Sequence, residues 1–256
     1  MKYVVFVKQV PDTAEMTVDE NGSLVREGVP SIMDPYSESA LSYILSSRRD
    51  GDEVIAVTMG PPSAEKTLRR CIALGADSAT LLSDPAFAGA DTYATARVLT
   101  SYVTKYACDA DLIVFGRQTI DGGTGQVPSE VAQMVGVQIF SYVTDMGVDG
   151  MIAVTQDYGD MERVCEVPKG SVVSFGDVDV VSQLPSVNDV IRGMDSDITI
   201  LNRIDLGLGL YSVGLKGSFT EISSTDNVRK SRKNRMVEIR DPSSAAQFII
   251  DKMKVI

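Results

Sequence analysis

The stretch GRQTIDGGTGQVPSE, residues 116–130, decides the fold because it joins a buried strand to a helix through glycines. An apolar run, residues 112–115, precedes it, and a helical pattern begins near Gln126. Three glycines leave the backbone amides open to an anion: Gly122, Gly123 and Gly125. The first turn of a helix directs its own free N–H groups at the same place. The stretch therefore favours a phosphate-binding loop.

The same glycines also suit an ordinary surface turn, and this alternative stays open on the loop alone. The chain carries neither GxxxxGK[ST] nor a GxGxxG after its first strand. A P-loop and a standard dinucleotide fingerprint are both disfavoured. The pattern of the rest of the chain has to decide between a phosphate-binding loop and a surface turn.

Short apolar runs alternate with helical patterns through the first half of the chain. The runs are 3–7, 54–59, 79–82 and 112–115, and the helices are predicted at 36–49, 64–74 and 92–107. Runs without a polar face indicate strands buried on both sides. This βαβ alternation predicts an α/β fold with a doubly wound, mainly parallel sheet, whose ligands sit beyond the carboxyl ends of the strands.

The pattern changes after residue 139. Runs at 141–145, 152–156, 163–167 and 171–175 are separated by Gly and Asp turns and predict antiparallel hairpins that extend the sheet. Beyond Asp177 the chain loses its period, apart from short helices predicted near 186–193 and after Asp241 and Pro242. We expect a domain at 1–176 and, at 177–256, a C-terminal arm that packs on a partner subunit.

Composition excludes several classes of chemistry. The chain has 256 residues, 44% of them hydrophobic, and no histidine. The absence of histidine removes Ser-His-Asp and Cys-His catalysis and any histidine metal site. Its three cysteines have no metal-ligand spacing and are expected to be reduced thiols. We expect no catalytic residue and no bound metal.

Charge and hydropathy limit the partners and the location. A net charge of −11 argues against nucleic acid, although one basic cluster lies at 229–235. That cluster is either a solvated charge run or a contact to an acidic protein surface. The sequence shows no membrane-spanning run and no signal-peptide pattern, so we expect no membrane insertion and a cytoplasmic location.

Long motifs along the chain resemble those of the β (small) subunits of electron transfer flavoproteins. They are VKQVPDT at 7–13, LVREGVPSIMDPYSESAL at 24–41, MGPPSAEKTLRRCIALGAD at 59–77, LLSDPAFAGADTYATARVL at 81–99, GRQTIDGGTGQV at 116–127 and VGLKGSFTEI at 213–222. The resemblance implies an adenine-nucleotide-binding, Rossmann-like domain. It also implies a heterodimer with an α subunit that carries its own FAD and is wrapped by the C-terminal arm.

The resemblance leaves two nucleotides open for this chain. Conventional members hold a structural AMP and serve acyl-CoA dehydrogenases. Electron-bifurcating members hold FAD there, take a hydride from NADH, and send electrons to the α-subunit FAD and to ferredoxin or flavodoxin. VPDT at 10–13 and the small residues at 122–125 resemble the bifurcating type. We therefore expect FAD, with AMP as the alternative.

The resemblance also implies site residues. Phe6, Lys8 and Met59 would line the adenine, and the phosphate would be held by Gly122, Gly123, Thr124, Gly125, Gln126 and Val127. Gln118, Thr119 and Thr124 would hydrogen-bond the ribityl chain or the flavin edge, and Thr92 and Thr95, in a segment that resembles a flavin-contacting one, would contact the flavin. Asp34, Asp91 and Arg117 complete the set. Asp34 departs from the asparagine usual in relatives, because a carboxylate only accepts hydrogen bonds. Purely structural roles also stay open for six of these residues. Asp34 and Asp91 could be helix caps, and Arg117 could form an ion pair. Lys8 could close a strand end, and Thr92 and Thr95 could be ordinary first-turn residues.

Partner recognition is expected at Leu184. Its surroundings, QLPSVNDVIRG at 183–193, resemble the loop through which the family docks acyl-CoA dehydrogenases, without the usual lysine-rich continuation. A distant alternative for the whole chain is an ATP-binding module of the universal-stress type, which shares the strand–helix alternation. That alternative lacks the expected glycine spacing and leaves the long tail unexplained.

Overall fold

The computed structural model describes residues 1–12, 17–18, 24–25, 30–178, 180, 184–220 and 241–253. Thr13 of the VPDT motif and the basic cluster at 229–235 lie outside the described residues. Contacts between residues divide the chain into one compact unit, Met1–Ser223, and a second, Ser224–Ile256. The second unit contains one described helix, α7 (Pro242–Met253).

The remaining elements all belong to the first unit. Its strands are β1 (Lys2–Phe6), β2 (Gln9–Pro11), β3 (Thr17–Val18), β4 (Leu24–Val25), β5 (Ser31–Met33), β6 (Glu53–Met59), β7 (Ser78–Leu82), β8 (Leu112–Gly116), β9 (Ile139–Asp149), β10 (Met151–Asp157), β11 (Glu162–Val167), β12 (Ser171–Phe175) and β13 (Thr199–Leu201). Its α-helices are α1 (Pro35–Ser47), α2 (Glu65–Leu74), α3 (Thr92–Tyr106), α4 (Val127–Val135), α5 (Val187–Asp195) and α6 (Gly214–Gly217).

One nine-stranded sheet organises the unit, in the order β11-β10-β9-β12-β8-β1-β6-β7-β13. Every neighbouring pair from β9 to β13 is parallel, whereas β10 pairs antiparallel with both β9 and β11. The chain runs from β1 outward through β6 and β7 and then returns to place β8 on the other side of β1. Such a reversal opens a crevice at the carboxyl ends of the two strands. Gly116 and the glycine-rich loop lie at that crevice.

Alternation along the buried strands divides the core into two layers. Val5 packs with Leu41 of α1 and Leu68 of α2 on one face of the sheet. Its neighbour Val4 packs on the other face, with Leu99 of α3 and Val131 of α4. Helices therefore cover both faces, as the predicted doubly wound α/β fold requires.

Two expectations about strand placement need correction. Residues 171–175 were predicted as part of an antiparallel hairpin, but β12 lies parallel between β8 and β9. Its residues are buried throughout, which an inner strand allows and an edge hairpin does not. Residues 199–201, inside the predicted arm, add the parallel edge strand β13. The sheet-forming unit thus continues past residue 176, and the arm's contact with a partner subunit stays a prediction.

Candidate functional site

The glycine-rich loop adopts a conformation that its glycines make possible. Gly123 and Gly125 both have φ +63, in the left-handed region. A Cβ on Gly125 would stand 2.9 Å from the carbonyl oxygen of Arg117, and one on Gly116 would stand 2.6 Å from the backbone of Tyr36. The loop therefore turns tightly on itself and packs directly on the start of α1, with no side chain in between.

Asp34 anchors this loop from below. Its side chain is fully buried. Oδ1 accepts the Ile120 N–H at 2.8 Å, and Oδ2 accepts the Ser37 N–H at 3.1 Å and its hydroxyl at 3.3 Å. Burial raises the pKa of this carboxyl, and the hydrogen bonds from Ile120 and Ser37 oppose the shift. The cap role is confirmed, and both oxygens already hold protein donors, so any ligand contact by Asp34 is a further prediction.

The N-terminus of α4 is left open to solvent. Gln126 stands at the cap position without a side-chain hydrogen bond, and Pro128 lies in the first turn. Within the described residues, no hydrogen bond takes up the N–H groups of Thr124, Gly125, Val127 or Ser129. Those of Gly122 and Gly123 bond within the loop, to Asp121 Oδ1 and to the Thr119 carbonyl. The free donors at the helix start are therefore available to an anion.

Lys8 lies at the edge of the same crevice, just past the end of β1. Its Nζ pairs with Asp121 Oδ2 at 2.8 Å. Partial burial would raise the pKa of Asp121, but the hydrogen bonds from Lys8 and Thr119 bring it below its ordinary value. The pair holds the Lys8 ammonium group beside the glycine-rich loop.

Phe6 and Met59 end neighbouring strands at the crevice. The Phe6 ring is buried and stacks on Phe115, with 4.8 Å between centroids. Its side chain belongs to the core, so a contact from Phe6 to a ligand would come from its backbone. Met59, at the end of β6, is half-buried. Both lie on the β1–β6 side of the loop, and their contact with an adenine stays a prediction.

The N-terminus of α3 lies close by and is closed. Asp91 Oδ1 accepts the Ala94 N–H at 2.9 Å. Its Oδ2 accepts the N–H groups of Phe219 and Thr220, at 2.8 and 3.0 Å, and the Thr220 hydroxyl. Burial alone would raise the pKa of Asp91, but these donors hold it below its ordinary value. Asp91 caps the helix, as expected, and also ties down a distant segment.

Thr92 connects the two helix starts. Its hydroxyl lies 2.9 Å from Glu130 Oε1 and 3.4 Å from Gln126 Oε1. The other oxygen of that carboxylate, Glu130 Oε2, is buried and has no hydrogen-bond partner in the described part of the chain. Thr95 lies one turn further along α3 and is half-buried. Sequence reasoning missed Glu130, whose position four residues after Gln126 was its only signal.

A polar cavity of about 290 Å³ opens on the β12–β9 side of the loop. Its lining residues are Arg117, Gln118, Thr124, Gly125, Ser129, Ser141, Tyr142 and Ser174. Five of these carry hydroxyl groups that can donate or accept hydrogen bonds. The structure therefore brings the predicted Arg117, Gln118, Thr124 and Gly125 together with four residues that sequence reasoning did not select.

Arg117 and Gln118 are both tied to the surface around the cavity. Arg117 Nη1 pairs with Asp177 Oδ2 at 2.7 Å, and its guanidinium lies over the Tyr36 ring, 5.0 Å from the centroid. Gln118 Nε2 donates to the Tyr36 hydroxyl at 3.3 Å. The ion pair expected as the structural alternative for Arg117 is present. Tyr36, from α1, completes this side of the loop and was not among the predicted residues.

Leu184 lies away from the crevice, ahead of α5. Its side chain is 88% exposed, and exposed apolar residues follow on the helix: Val187, Ile191 and Met194. Ser186 and Asp189 form a capping box that fixes the helix start. The geometry presents an apolar surface, and its role in partner recognition stays a prediction.

The crevice fits the phosphates of a nucleotide. It combines free N–H groups at the start of α4, a nearby ammonium group and a backbone that tolerates no Cβ at Gly125. None of the described helices is long and apolar enough to cross a bilayer. The described residues also contain no cluster of acidic or cysteine side chains suited to a metal ion.

The fold and this crevice define an α/β protein of the Rossmann-like, doubly wound class. Residues 21–177 match the family model described as the electron transfer flavoprotein domain. The chain belongs to the electron transfer flavoprotein family, and its similarity is to the β subunits. The expected family is confirmed, and with it a general role in electron transfer.

The curated relatives match almost end to end. The chain is 36% identical to the caffeyl-CoA reductase-Etf complex subunit CarD of Acetobacterium woodii, over 99% of this chain and 98% of the relative. It is 34% identical to the electron transfer flavoprotein subunit beta of Clostridium acetobutylicum, with the same coverage. It is 33% identical to protein FixA of Azotobacter vinelandii, over 99% of this chain and 94% of the relative.

Proposed function

We propose that this chain is the FAD-binding β subunit of a cytoplasmic heterodimeric electron transfer flavoprotein that bifurcates electrons from NADH. When bound, FAD would supply the chemistry that accepts a hydride from NADH and passes single electrons to the α-subunit FAD and to ferredoxin or flavodoxin. The residues of this chain bind and orient the cofactor and shield it from water. No protein acid or base is needed for that role.

The observation that carries the proposal is the reach of the binding surface. Met59, which is predicted to contact the adenine, ends β6, and the polar cavity borders β9. Four strand spacings separate β6 from β9, which at about 4.8 Å each is roughly 19 Å. A dinucleotide spans that distance, whereas AMP is shorter. The span supports FAD over AMP.

Different residues of the loop would bind different parts of the cofactor. The N–H groups at Thr124, Gly125 and Val127 would hold the phosphates, with Lys8 supplying positive charge. Gln118 and Thr124 would bond the ribityl chain or the flavin edge within the cavity. On the opposite side, Thr92 offers a hydroxyl whose position is set by its hydrogen bond to Glu130.

The partner proposed for the whole chain is the electron transfer flavoprotein α subunit. CarD is, by its name, part of a complex with a caffeyl-CoA reductase. We extend this to an acyl-CoA dehydrogenase-type partner for the present chain. The exposed Leu184 and the apolar face of α5 support that assignment.

A conventional β subunit with a structural AMP is the second candidate. The exposed loop at Leu184 is compatible with it too, because that loop resembles the one through which the family docks acyl-CoA dehydrogenases and does not separate the two types. In that case the same crevice would bind AMP, and the cavity beside β9 would hold none of the ligand.

Nucleotide extraction separates the two candidates. The chain is co-expressed with its α subunit, the purified heterodimer is denatured, and the released nucleotides are identified and counted. We expect two FAD per heterodimer and no AMP. One FAD with one AMP would overturn the proposal and establish the conventional type.

A further inference from the structure

Tyr142 adopts a backbone conformation that tyrosine disfavours. Its φ of +56 makes it the one residue other than glycine with positive φ in the described part of the chain. Aromatic residues enter this region only where their surroundings hold them there, and such positions cluster at functional sites. A local cause and a consequence are both visible in the structure.

The cause is an extra residue in β9. Val173 of β12 pairs with Phe140 and Phe175 pairs with Val143, so Ser141 and Tyr142 together face the single Ser174. This is a β-bulge, which turns a side chain out of the regular alternation. Phe140 and Val143 both enter the same core layer. Tyr142 is turned outward, and its side chain is 53% exposed.

Two hydrogen bonds hold the bulge in place. The side-chain amide of Gln156, which is buried, donates to the Ser141 carbonyl at 2.8 Å. The Gly176 N–H donates to the Val143 carbonyl at 2.8 Å. The Ser141–Tyr142 peptide is thus fixed by a partner from β10, and the Val143–Thr144 peptide by the residue after β12. The disfavoured conformation is maintained by the fold.

The consequence is an aromatic ring at the polar cavity. Ser141, Tyr142 and Ser174, the three residues of the bulge, all line it together with the loop residues Gln118 and Thr124. The Tyr142 hydroxyl has no hydrogen-bond partner within the described residues, so the ring is not held there by a bond of its own. A flat ring beside hydroxyl and amide groups suits a flat heteroaromatic ligand with a polar edge.

We propose that Tyr142 is the stacking surface for the flavin ring, and that it distinguishes FAD from AMP. The inference rests on the proposed function, since it assigns the part of the ligand beyond the phosphates to this cavity. AMP has no ring system on that side of its phosphate. Loss of the Tyr142 ring should therefore weaken FAD binding and leave AMP binding unchanged.

Three variants of the co-expressed heterodimer test this. Tyr142→Phe keeps the ring and should bind FAD at the β site like the wild type. Tyr142→Ala removes the ring but keeps a side chain in the left-handed conformation, and FAD affinity should fall about tenfold. Tyr142→Gly should show the same loss while its Tm rises by about 2–4 °C, because glycine accepts this φ freely.

The readouts are FAD per heterodimer after gel filtration, FAD and AMP affinities of the nucleotide-depleted β site, and Tm without nucleotide. Equal FAD affinity in all variants would overturn the role of Tyr142. An equal fall in AMP affinity would also overturn it, by showing that the ring only supports the fold. A loss confined to the KM for NADH would assign the ring to the electron donor and overturn it as well. A wild type with one FAD and one AMP would instead refute the proposed function.

Discussion

The N-termini of α3 and α4 lie side by side at the crevice and differ in capping: a side chain caps α3, and none caps α4. At α3, Asp91 fills the helix start and binds residues 219 and 220 as well. At α4, a glycine-rich loop leads in and no side chain caps the first turn. A carboxylate supplied by the chain makes the first end a structural anchor. Its absence leaves the second end able to take a phosphate from a ligand.

The largest effect on nucleotide binding is expected from Gly125→Ala, in the loop that leads into the uncapped N-terminus of α4. The new Cβ would stand 2.9 Å from the Arg117 carbonyl, on a residue with φ +63, so the loop must shift. We expect at least about tenfold weaker nucleotide binding, and a loss of about 2 kcal/mol in the free energy of unfolding. Isothermal titration and urea denaturation measure the two.

Gly136→Ala is the matched control for that change. Gly136 ends α4 with φ +83, and a Cβ there meets nothing within 4 Å. It should cost about 1 kcal/mol of stability and leave nucleotide affinity unchanged. If both variants bound nucleotide equally well, the loop would not be the phosphate site.

The next largest effect, on stability, is expected from Asp91→Ala, which removes the cap of α3. The variant loses the α3 cap and the anchor for residues 219 and 220, which should cost about 2 kcal/mol. The pKa of Asp91 lies below its ordinary 3.8 in the folded protein, so its contribution is present above pH 3.8 and is lost as pH falls through the folded pKa. Urea denaturation at pH 7 and at acidic pH should show wild type and variant converging at low pH.

Asp34→Asn tests the anchor beneath the open end. Burial raises the pKa of Asp34, so its contribution to stability is fully present below 3.8 and declines as pH rises through the folded pKa. Asparagine does not titrate, so stability of the variant should decline less between acidic and neutral pH. The difference at pH 7 should stay within about 1 kcal/mol, because the amide also forfeits one acceptor. Parallel slopes for the two proteins would contradict the assignment.

The smallest effect on stability is expected from Lys8→Met. Its ion pair with Asp121 is partly exposed, so its loss should cost roughly 0.2–1 kcal/mol. Nucleotide affinity should fall more, and the fall should shrink in high salt. Lys2→Met removes the comparable pair with Asp109 at the other end of β1 and should leave affinity unchanged. Equal affinities for both variants would remove Lys8 from the site.

Much of the fold was predictable because buried parallel strands leave unbroken apolar runs. The runs at 3–7, 54–59, 79–82 and 112–115 are confirmed as β1, β6, β7 and β8 within one or two residues. The run SVVSF at 171–175 was misplaced, since burial on both faces does not reveal the direction of the neighbouring strands. A three-residue strand such as β13 leaves too short a pattern to detect.

The site was predictable where it is local in sequence. The glycine-rich loop and the helix that follows it could be identified from the sequence, because phosphate binding needs small residues next to a helix start. Tyr36, Ser141 and Ser174 were missed because the fold brings them to the loop from other elements, whereas Glu130 lies in the first turn of α4 and was missed although it is local. Tyr142 had one signal: apolar residues at 140, 143 and 146, a spacing of three within a strand, indicate a bulge.

The two edges of the sheet have a consequence for the free subunit. An exposed strand edge is a template on which other chains can polymerise. At one edge, β13 has only three residues. At the other, β11 alternates charged residues with Val164 in the run ERVCEV. Within the described residues, neither edge offers a long, flat, uncharged ladder, so we expect the isolated chain to resist edge-to-edge aggregation.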